Sequence, residues 1–137
     1  KLNPETIGRV RKILEQFKLS ELQEVRNPMD LTPMANDRVY HEVLKAFHAD
    51  PNVDLLVYAC IPLTAAIKSI DPKDPASYVA LLTSSLGSEI TKPLVAVLDA
   101  GALYDPLATA LYEAGVPIFR SIDRALLMFT RWAISHR

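Results

Sequence analysis

Apolar residues recur at spacings of three, four and seven from Ile7 through Val10, Ile13, Leu14 and Phe17, opposite Arg9, Arg11, Lys12 and Glu15. That stripe predicts an amphipathic helix packed against a neighbour. Asn3 as N-cap, Pro4 at the first helical position and Glu5 in the first turn mark its start. Leu22 to Val25 reads as a short strand ended by the Asn27-Pro28 turn, and Asn36 or Asp37 caps a second helix with Val39, Val43, Leu44 and Phe47 facing inward. Asp50-Pro51-Asn52 stops that helix.

Val53 to Ala59 is an almost unbroken apolar run rich in β-branched residues, the pattern of a strand covered on both faces. Leu94 to Leu98 repeats it, and Val116 to Phe119 gives a last, short strand. Between these runs the spacing predicts a short helix over Pro62 to Ile70. A second begins near Pro75, with Asp74 as cap, and reaches about Ile90 through Tyr78, Leu81, Leu82, Ser85 and Leu86. A third runs from Asp105-Pro106 through Leu107, Leu111 and Tyr112 and is closed by Gly115. The final helix, capped by Ser121 or Asp123, should turn Ala125, Leu126, Phe129, Trp132 and Ala133 inward. Helix and strand therefore alternate, with no internal repeat and no low-complexity linker. The predicted fold class is α/β: a three-layer sandwich with an open parallel sheet, helices on both faces, Val53 to Ala59 at or near its centre and Leu56 fully buried. Open sheets of this kind bind ligands at the carboxyl edge, where the turn of Asn27, Asp30 and Thr32 and the turn of Gly101 should lie.

With 137 residues, half of them hydrophobic, residues 1–137 have the size of one domain. A net charge of −1 offers no long-range attraction to phosphate backbones or anionic lipid, so nucleic-acid and membrane partners are not expected. The single cysteine, Cys60, sits in an apolar stretch as a small buried hydrophobe, which fits a reducing cytoplasm. No apolar run approaches the roughly eighteen residues of a membrane span, and Lys1-Leu2-Asn3-Pro4 lacks the apolar core of a signal peptide. A first residue other than Met leads to the expectation of a domain excised from a larger protein. His41, His48 and His136 read as solvated or helix-end histidines, and no metal site is expected. Without a Gly-x-Gly-x-x-Gly fingerprint or a Walker-type loop, the chain alone is expected to bind neither ATP nor CoA and to be inactive.

Several strings carry a resemblance: Leu2-Asn3-Pro4-Glu5-Thr6, Val10, Leu14, Asn27-Pro28-Met29-Asp30-Leu31-Thr32, Tyr40, Asp50-Pro51-Asn52-Val53-Asp54, Pro62, Lys92-Pro93, Gly101 and Glu113-Ala114-Gly115-Val116-Pro117-Ile118-Phe119. Together they resemble the nucleoside-diphosphate-forming acyl-CoA synthetases, the superfamily of ADP-forming acetate-CoA ligases and succinyl-CoA synthetase, over nearly the whole chain. The resemblance implies the flavodoxin-like domain that follows the phosphohistidine domain. It also implies a parent that joins an acid to CoA with ATP and Mg, through a phosphohistidine outside these residues. The partners so implied are the CoA-binding, phosphohistidine and ATP-grasp domains of the same or a partner chain.

In that family a helix amino-terminus after the matching strand faces the phosphohistidine. By position this would be Pro62, Leu63 and Thr64, with the N–H groups of Leu63 and Thr64 as donors. Succinyl-CoA synthetases carry a glycine pair where this chain has Ile61-Pro62, which removes one N–H; a plain strand-to-helix turn is the alternative. Asn27, Asp30 and Thr32 either order a turn beneath the acyl-phosphate site or are turn formers bonded to their own backbone. Family members often continue Leu-Thr-Gly-Asp-Ala, but here the string is Leu31-Thr32-Pro33-Met34-Ala35. Ile61, Leu63, Leu103 and Tyr104 are expected on a partly exposed docking face at the carboxyl edge, with weak homodimerisation through it. The alternative from another class is a non-catalytic flavodoxin-like or receiver-like interaction or regulatory module. Asp99 ends a strand as a phospho-acceptor would, yet Arg120-Ser121 follows the last strand where a receiver has lysine.

Overall fold

The computed structural model describes residues 1–21, 23–62, 64–67 and 71–135. The first helix, α1 (Pro4–Gln16), starts as its sequence dictates, with the Asn3 side chain accepting the N–H of Glu5. It buries Val10 and Leu14 against Val39, Val43 and Ala46 of α2 (Asp37–His48), so α1 packs on α2 and not on the sheet. Asn36 caps α2 through the N–H of Val39.

Three strands, β1 (Leu56–Ala59), β2 (Leu94–Val97) and β3 (Ile118–Phe119), form a parallel sheet in the order β1-β2-β3. Leu56 lies opposite Leu94 and Ala96 opposite Ile118. One face of the sheet, with Leu56, Tyr58, Leu94 and Ala96, packs on Leu44 of α2, on Val79 and Leu82 of α3 (Tyr78–Ser85), and on Leu107 and Leu111 of α4 (Asp105–Glu113). The other face, with Val95 and Val97, packs on Ala125 and Phe129 of α5 (Ile122–Ser135). The result is the expected three-layer α/β architecture, flavodoxin-like in its open parallel sheet.

Several expectations need correction. β2 is the central strand, and β1 lies at an edge of the described sheet. Burial explains the order: every residue of β2 is buried, whereas β1 alternates and ends exposed at Ala59. The strand expected over Leu22 to Val25 is absent at Gln23, Glu24 and Val25, while Leu22 lies outside the described residues. Val25 still packs against both apolar clusters beside α2, so its apolar character reports burial and not pairing.

The helix expected over Pro62 to Ile70 is also absent from the described part of that segment; Leu63 and residues 68–70 lie outside it. Thr64 is the local cause. Its N–H donates to the carbonyl of Ile67, and its hydroxyl accepts the N–H groups of Ala66 and Ile67. The first of these bonds runs against the helical ladder, in which each N–H donates back toward the N-terminus, and so closes a non-helical turn. α3 starts later than predicted because Ser77, whose hydroxyl accepts the N–H of Ala80, is its cap. Asp74 instead holds a turn through the N–H of Ala76. α3 ends at Ser85, where Leu86 turns extended and Gly87, at φ +76°, folds the chain back so that its N–H reaches the carbonyl of Ile90. On α5 the cap is Ser121, whose hydroxyl accepts the N–H of Arg124. Leu126 and Trp132, expected inside, are exposed.

Candidate functional site at the carboxyl edge of the sheet

In a parallel sheet the segments that leave every strand emerge on one edge. Here they are 60–67 after β1, 98–104 after β2 and Arg120-Ser121 after β3. α2 precedes β1 and α3 precedes β2, so both helices begin at this carboxyl edge, and Asp37 joins their starts by accepting the N–H of Tyr78 at 2.7 Å.

A buried aromatic cluster lies beneath. Tyr40 meets Tyr58 edge-on at 6.1 Å between ring centres, and Tyr58 lies 6.2 Å from Tyr78. Cys60 follows β1 directly and is buried beside them. Burial pushes the Cys60 thiol up to about 12, with the Tyr78 hydroxyl opposing and the Asp37 charge reinforcing the shift. The thiol stays protonated at neutral pH and is no nucleophile. Burial likewise raises Tyr40 to about 12, helped by Cys60 and by the charge of Asp30, and burial holds Tyr58 and Tyr78 above the ordinary phenol value. The Tyr78 hydroxyl is shut away without a well-formed hydrogen bond.

The sequence-predicted residues divide into two groups. Asp30 comes within electrostatic reach of Tyr40 and so joins the carboxyl-edge cluster. Its carboxylate accepts the N–H of Thr32 at 2.8 Å, and the Thr32 hydroxyl accepts the N–H of Met34. Both side chains are thus engaged on their own turn, in which Thr32 takes φ +50° and the Asn27-Pro28 peptide is cis. Asn27 is exposed. Gly101 starts the single 3-10 turn before α4, and a Cβ added there would meet nothing within 4 Å. The Pro62–Thr64 segment has other employment for its donors: Pro62 has no N–H and is buried, the N–H of Thr64 is taken by Ile67, and Leu63 lies outside the described residues. Ile61 and Leu103 are the most exposed apolar side chains of this edge, at 67% and 63%, and Tyr104 is half-buried. Arg120 crosses the edge, donating to the carbonyl of Ala100 and pairing with Asp105, so the segments after β2 and β3 are fastened together.

His41 and His48 are elsewhere, and His136 lies outside the described residues. Both α2 and α3 run away from the carboxyl edge, and His41 and His48 lie in the body and at the far end of α2. His41, expected in solvent, is buried; its Nε2 lies 3.2 Å from the Ser85 hydroxyl, which also bonds Glu89. Lys45 completes this group with a 3.0 Å ion pair to Glu89. His48 is a helix-end residue as expected, and its Nε2 accepts the N–H groups of Thr91 and Lys92 at 2.9 and 3.0 Å.

The aromatic and thiol cluster was not singled out by spacing, because Tyr40, Tyr58 and Tyr78 sit on three different elements. What signal there was lay in a polar-tipped residue inside an otherwise apolar strand. Among the described residues no three His, Cys, Asp or Glu side chains gather to hold a metal ion.

The resemblance to the nucleoside-diphosphate-forming acyl-CoA synthetases is upheld by comparison with known proteins. The chain is 26% identical over 110 residues to the acetate–CoA ligase (ADP-forming) II subunit alpha of Pyrococcus furiosus, a match that covers 79% of this chain and 23% of that relative. The crystal structure of PH0766 from Pyrococcus horikoshii OT3 shares the fold, with a TM-score of 0.72 at 24% identity over 88% of this chain and 26% of that one. The chain therefore spans about a quarter of the length of each. No protein-family model matches it.

Proposed function

We propose that this chain is one domain of an acyl-CoA ligase of the nucleoside-diphosphate-forming type, which joins an acid to CoA while ATP yields ADP and phosphate. The observation that carries the reading is the match to an ADP-forming acetate–CoA ligase subunit over 79% of the chain, of which the chain is only 23%. Residues 1–137 serve as a single succinyl-CoA-ligase-like domain of a larger machine, and the phosphoryl-carrying histidine belongs to another domain. The described histidines support this division, since His41 and His48 are committed to hydrogen bonds away from the carboxyl edge.

Within the assembled ligase the carboxyl edge presents a docking surface to the CoA-binding, phosphohistidine and ATP-grasp domains. Exposed Ile61 and Leu103 supply apolar contact, and the Pro62–Thr64 turn with the Gly101 turn supplies close backbone approach. Thr64 is the residue of this surface that a test should alter. Aspartate can replace its hydroxyl as acceptor for the N–H groups of Ala66 and Ile67, so Thr64→Asp keeps the turn while adding a negative charge.

The test uses the whole ligase that contains this chain. Acid- and CoA-dependent release of ADP should be measurable, and Thr64→Asp should lower phosphoenzyme level and turnover by about ten-fold or more through repulsion of the phosphoryl anion. Absence of ligase activity in the intact protein would remove the assignment. Unchanged turnover in the Thr64→Asp enzyme would leave the assignment and remove this turn from the phosphoryl site.

A further inference from the structure

We infer that the outer ridge of α5 is a self-association surface, and that its occupant is a second copy of this chain, packed antiparallel across a two-fold axis near Leu127. A surface helix needs one apolar stripe, but α5 has more than its contacts use. Ala125 and Phe129 face the sheet. Leu127 is two residues from each, which turns it about 200° round the helix, and it is 52% exposed. Ile134 is 70% exposed and Leu126 is also exposed, so three large apolar side chains extend the stripe onto the solvent side.

Charge placement selects a second copy as the occupant. Asp123, Leu127 and Arg131 fall at i, i+4 and i+8 and form one ridge of the kind that interdigitates when helices cross. Asp123 and Arg131 are two turns apart, about 12 Å along the axis, and cannot pair with each other. Among the described residues neither has an ion-pair partner. An antiparallel copy rotated about Leu127 sets Asp123 of each copy opposite Arg131 of the other and Leu127 against Leu127, so one acid and one base equally spaced about a leucine are self-complementary. One helix pair buries little area, which makes this a weak, concentration-dependent dimer.

Sedimentation equilibrium of the whole chain over a range of concentrations up to the millimolar tests the idea. The wild type should show a monomer–dimer equilibrium. Asp123→Arg and Arg131→Asp should each weaken the dimer by about ten-fold or more by placing like charges together. The double swap should restore it, because the pairing is re-formed with its signs exchanged. Leu127→Lys should abolish it, with thermal unfolding of all four variants showing that the fold is kept. A chain that is monomeric at every concentration would overturn the proposal and leave this face to a different domain. So would a dimer indifferent to the single charge reversals, or one that the double swap fails to rescue.

Discussion

Two glycines of the same turn-rich architecture have opposite sensitivities, and the difference lies in one torsion angle. Gly115 closes α4 at φ +85°, and its N–H reaches the carbonyl of Tyr112 while that of Val116 reaches Leu111. An L-residue there must adopt the left-handed region, so Gly115→Ala should lower stability by about 1–2 kcal/mol in chemical denaturation, although a Cβ would meet no atom. Gly101 has φ −72° and equally open surroundings. Gly101→Ala should therefore leave the unfolding midpoint within error. In the intact protein, any loss of the proposed ligase turnover from that change would then measure close approach by a partner and not a damaged fold. A midpoint unchanged in Gly115→Ala would show that the helix does not depend on this cap.

At the scale of elements, α2 is fastened at both ends, and its far end is sensitive to acid. The Nε2 of His48 accepts two N–H groups from the segment leading into β2, which it can do only while unprotonated. Burial and then the nearby Lys92 charge hold its pKa below the ordinary 6.5. Burial and Lys45 lower His41 in the same direction, opposed by Glu42 and Glu89. For a pKa depressed on folding, the unfolded chain takes up the proton more readily, so the associated stability is full above the unfolded value and is lost as pH falls. The urea midpoint should accordingly decline from about pH 7 downward, and His48→Ala should lower the unfolding free energy at pH 7 by about 1 kcal/mol while flattening that slope. A second loss should begin near pH 4. Burial pushes the Asp50 carboxyl up, but the N–H groups of Asn52 and Asn3, the Thr6 hydroxyl and the Lys92 charge outweigh it and leave it below 3.8. A flat midpoint between pH 7 and 5 would show that neither imidazole is linked to folding.

The same scale shows what the sequence disclosed. Caps and stops were legible because they are local chemistry: Asn3 caps as predicted, Asn36 is the cap of the two candidates Asn36 and Asp37, Asp50-Pro51-Asn52 ends α2, and Gly115 ends α4. The buried runs were legible as strands, but their lateral order was not, since apolarity reports covering and not neighbours. Over the described part of 62–70 the helix was misread because proline followed by apolar residues fits a helix start, whereas the Thr64 N–H donates forward to the Ile67 carbonyl, against the helical ladder. Of the residues expected at the carboxyl edge, Asp30 and Thr32 show the turn chemistry their sequence suggests, each bonded to its own turn. The Tyr40, Tyr58, Tyr78 and Cys60 cluster is a tertiary product that no spacing within one element encodes.

For the molecule as a whole, the sheet supplies an edge at which loops converge but little with which to hold a charged ligand. Arg120 is engaged by Asp105 and the Ala100 carbonyl. The Thr64 N–H is taken, and the Asp30 and Thr32 side chains are spent on their own turn. The donors named here are already satisfied, and each one that a phosphate recruited would cost a hydrogen bond of about 1 kcal/mol. The isolated chain should therefore show no heat of binding for ATP or for CoA in titration calorimetry at ligand concentrations of about 1 mM, which corresponds to a binding free energy weaker than about −4 kcal/mol. On the proposed reading the ligands' chemistry comes from other domains, and this chain contributes shape: exposed Ile61 and Leu103 beside fixed turns. Micromolar binding of either ligand by the isolated chain would contradict that division of labour and would require a phosphate site that the described residues do not form.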